Sequence, residues 1–299
     1  MFKRLGRVFI IGGTTVIILL LFLNFLLKAL PGGDLEWPSS VQNQIAKDFF
    51  SRSSFQFILD MLIGNFGFSI SYPDHHVLNL ITEALGSTLK LALPALILVF
   101  ILAFVFSFFG AIYRNSWIEK WVDEIFILFL SLPVLFLAPL LIYIFSIRFN
   151  LLPLAFLNSF QSYILPIGVL VVRPLARFGT LLKEKLIWES EQPYIMVAQS
   201  KGLTPLQILF SHQLKGTLTL WVRGVGMVML SLFSGSFLVE NIFSISGLGQ
   251  LFVNAISERD YPVVAALVYF LGSSFIFLNL ILESLQEFID PRFFSKERT

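Results

Sequence analysis

Six stretches of 21 to 25 residues, at 8–30, 88–112, 123–147, 162–182, 217–241 and 263–287, each carry no more than two charged residues. Crossing a bilayer takes about 20 mostly apolar residues in a helix. Runs of this length predict transmembrane helices. The chain is therefore expected to be all-α and to cross a membrane six times. The first run follows Lys3, Arg4 and Arg7, as a signal peptide would. It is longer than a signal-peptide core and no small-x-small cleavage site follows, so it reads as a retained helix.

Composition agrees. Of 299 residues, 56% are hydrophobic and 13% charged, where soluble domains hold about 25% charged. A net charge of +2 argues against a nucleic-acid partner, and the absence of cysteine excludes disulfides and thiolate chemistry. Lys and Arg are retained on the cytoplasmic side of membranes. With the N-terminus inside, twelve of them fall on the inner side. Four fall outside: Lys47, Arg52, Arg148 and Arg259. Both termini are then cytoplasmic.

This topology divides the chain into an N-terminus with the first helix (1–30), an extracytoplasmic segment (31–87), a five-helix core (88–290) and a cytoplasmic tail (291–299). The outer segment opens on the turn "PGGD" at 31–34. A partly amphipathic stretch at 47–62 predicts a short helix on the membrane surface. "GNFGFSISYPD" then breaks helix at Gly64, Gly67 and Pro73.

The longest inner loop, "YIMVAQSKGLTPLQILFSHQLKG" at 194–216, is too polar to cross and too patterned to be slack. Pro193 opens a helix over 194–201, and Gly202 suits its left-handed C-cap. Thr204 and Pro205 suit the N-cap and first turn of a second helix. Leu206, Leu209, Phe210 and Leu214 recur at helical spacing on its one face. Such a helix–turn–helix is either a solvated connector on the headgroups or a docking surface for a cytosolic partner.

"AQSKGLT" followed by "HQLK" resembles the EAA loop of ABC importer permeases, in the form used by the dipeptide/oligopeptide (peptide/nickel) branch. Met196 and Val197 stand for the first two letters of the motif, and Leu218, Thr219 and Leu220 where a Leu-Pro would end it. The resemblance continues in order along the chain: "PGGD", "GNFGFSI" at 64–70, "TLKLALPAL" at 88–96, "SLPVLFLAPLLI" at 131–142, "SGLGQLFVNAISERDYPVV" at 246–264 and "DPR" at 290–292. The outer elements resemble the first of that family's two paired permeases.

The resemblance implies an ABC importer type I permease fold. It implies a second homologous permease subunit, two ABC ATPase subunits and an extracytoplasmic substrate-binding protein as partners in the bacterial cytoplasmic membrane. It places contact with the ATPase at Ala198, Lys201, Gly202, Leu203 and His212. Gly247, Gly249, Arg259 and Asp260 form an outer-loop motif. Peptides are the expected cargo, with nickel or another small solute as the alternative. A secondary carrier or channel, or an intramembrane enzyme or scaffold, are the rivals of other classes.

The remaining motifs are weaker. No P-loop occurs, so no cofactor is expected on this chain, and ATP is expected to be used by the partner subunit. "ISGLGQ" at 245–250 only superficially resembles an ATPase signature. Gly247 and Gly249 permit a tight turn, with ion pairs expected among Glu258, Arg259 and Asp260. His75 and His76 read as a solvated loop rather than a metal site. No catalytic Ser/His/Asp set can be assembled. Arg173 and Arg177 share a helix face and either line a polar path or, the favoured reading, meet lipid phosphates near the inner surface. Glu283 and Glu287 are expected to pair with basic groups, and Asn24 and Asn279 to bond between helices.

Overall fold

The computed structural model describes residues 2–29, 40–153 and 160–289. The turn at 31–34, the "DPR" at 290–292 and the tail at 291–299 lie outside them. Among the described residues the chain is helical, apart from one isolated antiparallel bridge between Phe68 and His76. Among the described residues five helices are long and apolar enough to cross a membrane, six if a bent pair is one span.

Helix α1 is Phe2–Ala29. The amphipathic stretch is two helices rather than one: α2 (Ser40–Ser51) and α3 (Ser54–Ile63). Ser53 breaks the run, because its hydroxyl accepts the Gln56 N–H as an N-cap. Gly64 closes α3 at φ +83°, a left-handed conformation that costs glycine nothing.

Helix α4 runs from Val77 to Ile112, eleven residues before the predicted start at 88. The Gly86-Ser87-Thr88 step looks like a boundary, but Thr88 is buried and its hydroxyl accepts the Leu248 N–H at 2.9 Å. At 1.5 Å per residue α4 is about 54 Å long and overruns the roughly 30 Å hydrocarbon layer.

The span predicted at 123–147 is not one helix. Helix α5 (Trp117–Ser131) ends at Leu132, which the following Pro133 holds in extended backbone at ψ 117°. Helix α6 (Val134–Leu141) starts after Pro133 and continues as a π-turn, Ile142–Arg148. The two halves meet at 101°.

Helix α7 (Gln161–Ser190) outlasts its predicted end at 182 by two turns, so Arg173 and Arg177 stand near its middle. Helices α8 (Pro193–Ser200) and α9 (Pro205–Ile208) follow. A π-turn (Leu209–Gln213) then runs into α10 (Leu214–Ile242). Helices α11 (Leu248–Ser257) and α12 (Tyr261–Ile289) complete the chain.

Two compact units result. One holds Met1–Leu89 with Ser244–Ile281, the other Lys90–Phe243 with Leu282–Thr299. The first has a core of Leu20, Leu23, Phe57, Met61, Ile81, Leu248 and Ala266. Its outer-loop residues behave differently from expectation. Glu258 and Arg259 are exposed and form no ion pair among the described residues. Asp260 is 1% exposed and accepts instead from the Ser69 hydroxyl and, at 3.1 Å, the Ser71 N–H. The tight backbone is at Ser244 (φ +55°) and Arg259 (φ +58°), while Gly247 is extended and Gly249 is buried in α11. Asn279 bonds the Phe275 carbonyl of its own helix, and buried Asn24 makes no interhelical bond. His75 and His76 are exposed against Tyr72 and Phe68. No group of three metal-ligating side chains occurs among the described residues.

In the second unit, Val122, Phe126 and Ala176 bring α5 onto α7. A side-chain carbon on Gly224 would strike Phe178, and one on Gly179 would strike Phe126. These glycines let α10 and α5 close on α7. Glu283 forms no ion pair, and the Glu287 side chain lies outside the description.

Candidate functional site

The helical hairpin at 194–216 forms largely as its residues dictate. Pro193 is the first residue of α8, and Gly202 takes φ +79° at the turn. Thr204 and Gln207 form a reciprocal capping box. The Gln207 N–H donates to the Thr204 hydroxyl at 3.4 Å, and the Thr204 N–H to the Gln207 side-chain oxygen at 2.9 Å. Ile195, Ala198 and Ile208 are buried together, with Leu203 packed against them. The hairpin thus has a small core of its own.

The single apolar face expected for the second helix is not formed. Leu209 is buried, whereas Leu206 and Phe210 are exposed. Leu206 and Phe210, four residues apart, share one exposed side, while Ile208 and Leu209 turn inward, Ile208 onto Ile195 and Ala198. Met196, Val197, Leu206 and Phe210 expose apolar side chains on the hairpin, and Lys201 and Gly202 at its turn are exposed as well. Of the five residues expected to touch a partner, Lys201 and Gly202 stand at the open tip. Ala198 and Leu203 pack inward. His212 is half-buried, stacked on Tyr194, with its Nδ1 buried and unpartnered.

Residues that sequence reasoning passed over hold the hairpin's base. Glu189, at the end of α7, has a side chain only 5% exposed. Its carboxylate receives the Lys185 ammonium at 2.9 Å and the Tyr194 hydroxyl. It lies against Gly216, where a Cβ would collide with it. One carboxylate therefore ties α7, α8 and the start of α10. Burial, and then the Glu189 carboxylate that accepts its hydroxyl, push the Tyr194 phenol up to about 12. The signal was present: a Glu between Lys185 and Tyr194, with a glycine opening the next long helix.

Neighbouring contacts stiffen the same end. Lys183 is buried and reaches Asp123 at 2.5 Å and Glu119 at 3.3 Å, so α5 is pinned to α7. Arg114 pairs with Glu191 just before the hairpin. A cavity of about 350 Å³ opens between the end of α4, the end of α7 and the hairpin, lined by Phe108, Ile112, Leu186, Leu203 and Leu209 among others.

An all-helical chain with five or six spans and a polar, self-packed hairpin between two of them defines a multi-pass membrane protein with a built protruding element. Residues 103–295 match the family described as "Binding-protein-dependent transport system inner membrane component". The chain belongs to that family: it is a permease subunit of the cytoplasmic membrane. It is 27% identical over 287 residues to the dipeptide transport system permease protein DppB of Bacillus subtilis, covering 93% of each chain. It is likewise 27% identical over 289 residues to the oligopeptide transport system permease protein OppB of Haemophilus influenzae, covering 93% of this chain and 94% of that one. A chain of the MetNI methionine ABC transporter shares the fold, with a TM-score of 0.55, 16% identity, and coverage of 71% of this chain and 97% of that one.

Proposed function

We propose that this chain is one of two paired permeases of an ATP-driven importer that carries di- or oligopeptides inward across the cytoplasmic membrane. In this reading the hairpin at 194–216 faces the cytosol and docks in an ATPase subunit, which binds and hydrolyses the ATP. This chain holds no nucleotide. A binding protein delivers cargo to the outer segments, including the 31–87 region and the loop around Gly247, Gly249, Arg259 and Asp260. Closure of two ATPases draws the hairpins of the two permeases together, and the spans behind them switch access from outside to inside.

The observation that carries this reading is the hairpin's build. Its apolar tip is exposed beside Lys201 and Gly202, while its base is fixed to α7 and α10 through buried Glu189. A surface connector needs neither. A lever moved by a partner needs both, a tip that is gripped and a base that does not give. Peptide cargo is supported by the dipeptide and oligopeptide transport roles of the two relatives, which match over nearly the whole chain.

The test is purification of the tagged chain in mild detergent, with mass spectrometry of what accompanies it, and uptake in proteoliposomes. A P-loop ATPase and a second permease should co-purify. Gly202→Asp forces a side chain into φ +79° at the tip. It should leave membrane insertion intact and abolish peptide uptake. Normal uptake by that variant would sink the coupling role, and a homo-oligomer without ATPase would sink the importer reading.

A further inference from the structure

We infer that Arg173 and Arg177 form a carboxylate-binding step in the translocation path, reading the C-terminal carboxylate of a passing peptide. The inference rests on the peptide-import reading above.

The first observation is position. α7 is the one candidate span whose apolar window is mostly buried, 61% against 17–33% for the other four. The apolar stretch of α7 ends at Lys183, Glu184 and Lys185, so Arg173 stands about 15 Å and Arg177 about 9 Å of axial rise inside that end. The two lie on one face, one helical turn and about 6 Å apart.

The second observation is what surrounds them. Pro174, Leu175, Ala176 and Phe178 are buried, while Arg173 and Arg177 are both exposed. Neither makes an ion pair or hydrogen bond with the described residues. The stripe continues down the same face through Leu181, Glu184 and Trp188, all exposed. Stretches of exposed surface on other spans are apolar, Ile17, Leu21 and Phe25 on α1 and Leu93, Ile97 and Ile101 on α4, and the exposed Arg223 of α10 differs in having a partner, Gln286.

The chemistry then narrows the occupant. A buried lysine can shed its proton, but a guanidinium stays charged at every physiological pH. Two unpaired guanidiniums cannot face lipid tails, and charges within spans face a bundle interior or a water-filled cavity. A water-filled path satisfies them when empty, and a passing anion satisfies them when loaded. A guanidinium grips a carboxylate through two parallel N–H donors. Every linear peptide with a free C-terminus carries that group whatever its side chains, so a pair of arginines suits a carrier of varied sequences.

The chain has no cysteine, and wild-type transporter treated with the same reagents controls for thiols on the other subunits. Arg173→Cys and Arg177→Cys are made singly in the complete transporter, reconstituted in proteoliposomes with its binding protein, and uptake of trialanine is measured. Each should fall about tenfold, the loss of one charge-assisted contact. Aminoethyl methanethiosulfonate, which restores a positive charge, should recover most of it. Sulfonatoethyl methanethiosulfonate, which adds a negative one, should not.

Besides unchanged uptake in both variants, three results would overturn the assignment. They are a cysteine that neither reagent modifies, recovery that ignores the sign of the charge, and loss of the partner subunits from either variant. The first means a face covered by lipid and the third an ion pair with the second permease. Wild-type transporter that takes up no trialanine would overturn the peptide reading itself. Wild-type uptake that both variants match would overturn only the arginine site.

Discussion

Gly216→Ala is the sharpest test of the hairpin's anchorage. The added methyl group enters space held by the Glu189 carboxylate, which is 5% exposed and has nowhere else to go without releasing its partners. Overpacking of this kind costs about 1–3 kcal/mol. Breaking a hydrogen bond to a charged group costs about 1.5–3 kcal/mol. One displacement causes both, so they overlap, and alanine recovers about 0.5–1 kcal/mol of helix propensity over glycine. The net loss is about 2–3 kcal/mol, taken from the local stability of the hairpin. By the same arithmetic, hydrogen-exchange protection across 193–203 should fall about 30- to 150-fold.

Two controls make the number diagnostic. Gly168→Ala, on α7 with nothing within 4 Å of the new carbon, should leave hairpin exchange unchanged. Glu189→Ala removes the obstacle, so adding Gly216→Ala to it should cost nothing further, a non-additivity expected only for groups in contact. Wild-type protection in Gly216→Ala, or full additivity in the double variant, would refute the claim that one carboxylate joins the three helices.

Other consequences follow from single contacts. The Tyr194 phenol has its folded pKa raised, so its bond to Glu189 contributes fully below the ordinary tyrosine pKa near 10 and is lost as pH rises through about 12. Difference absorbance at 295 nm between wild type and Tyr194→Phe should show no phenolate from this residue below about pH 11. Lys183→Ala leaves Glu119 facing an empty site. Because Asp123 is 43% exposed and can be rescued by water, the cost should be roughly 2–4 kcal/mol, seen as a lower midpoint in detergent unfolding, while Lys183→Arg should cost less. Asp260→Ala removes the acceptor for Ser69 and Ser71 and should open the 64–76 segment to protease, with α7–α10 unaffected.

The spans and the hairpin were legible because their signals are local. Apolar length gave the helices, and Pro193, Gly202, Thr204 and Pro205 gave the hairpin's turns at the positions observed. The span at 123–147 breaks at Pro133, a local signal, whereas the departures at polar groups share another cause, partners distant in sequence. Thr88 looked like a helix boundary because its partner, Leu248 N–H, is 160 residues away. Asp260 was given to adjacent Arg259, yet it serves Ser69 and Ser71. Glu189 carried no motif at all, and what marks it is a glycine 27 residues on that leaves room for its carboxylate. The same distinction bears on Arg173 and Arg177. Their spacing was readable, but that they are exposed and unpaired depends on how α4, α5 and α10 close around α7, which no local pattern encodes. A charge left exposed and unpaired among the described residues is answered by whatever covers that face, and the sign-selective rescue of Arg173→Cys and Arg177→Cys distinguishes water and cargo from lipid or a second subunit.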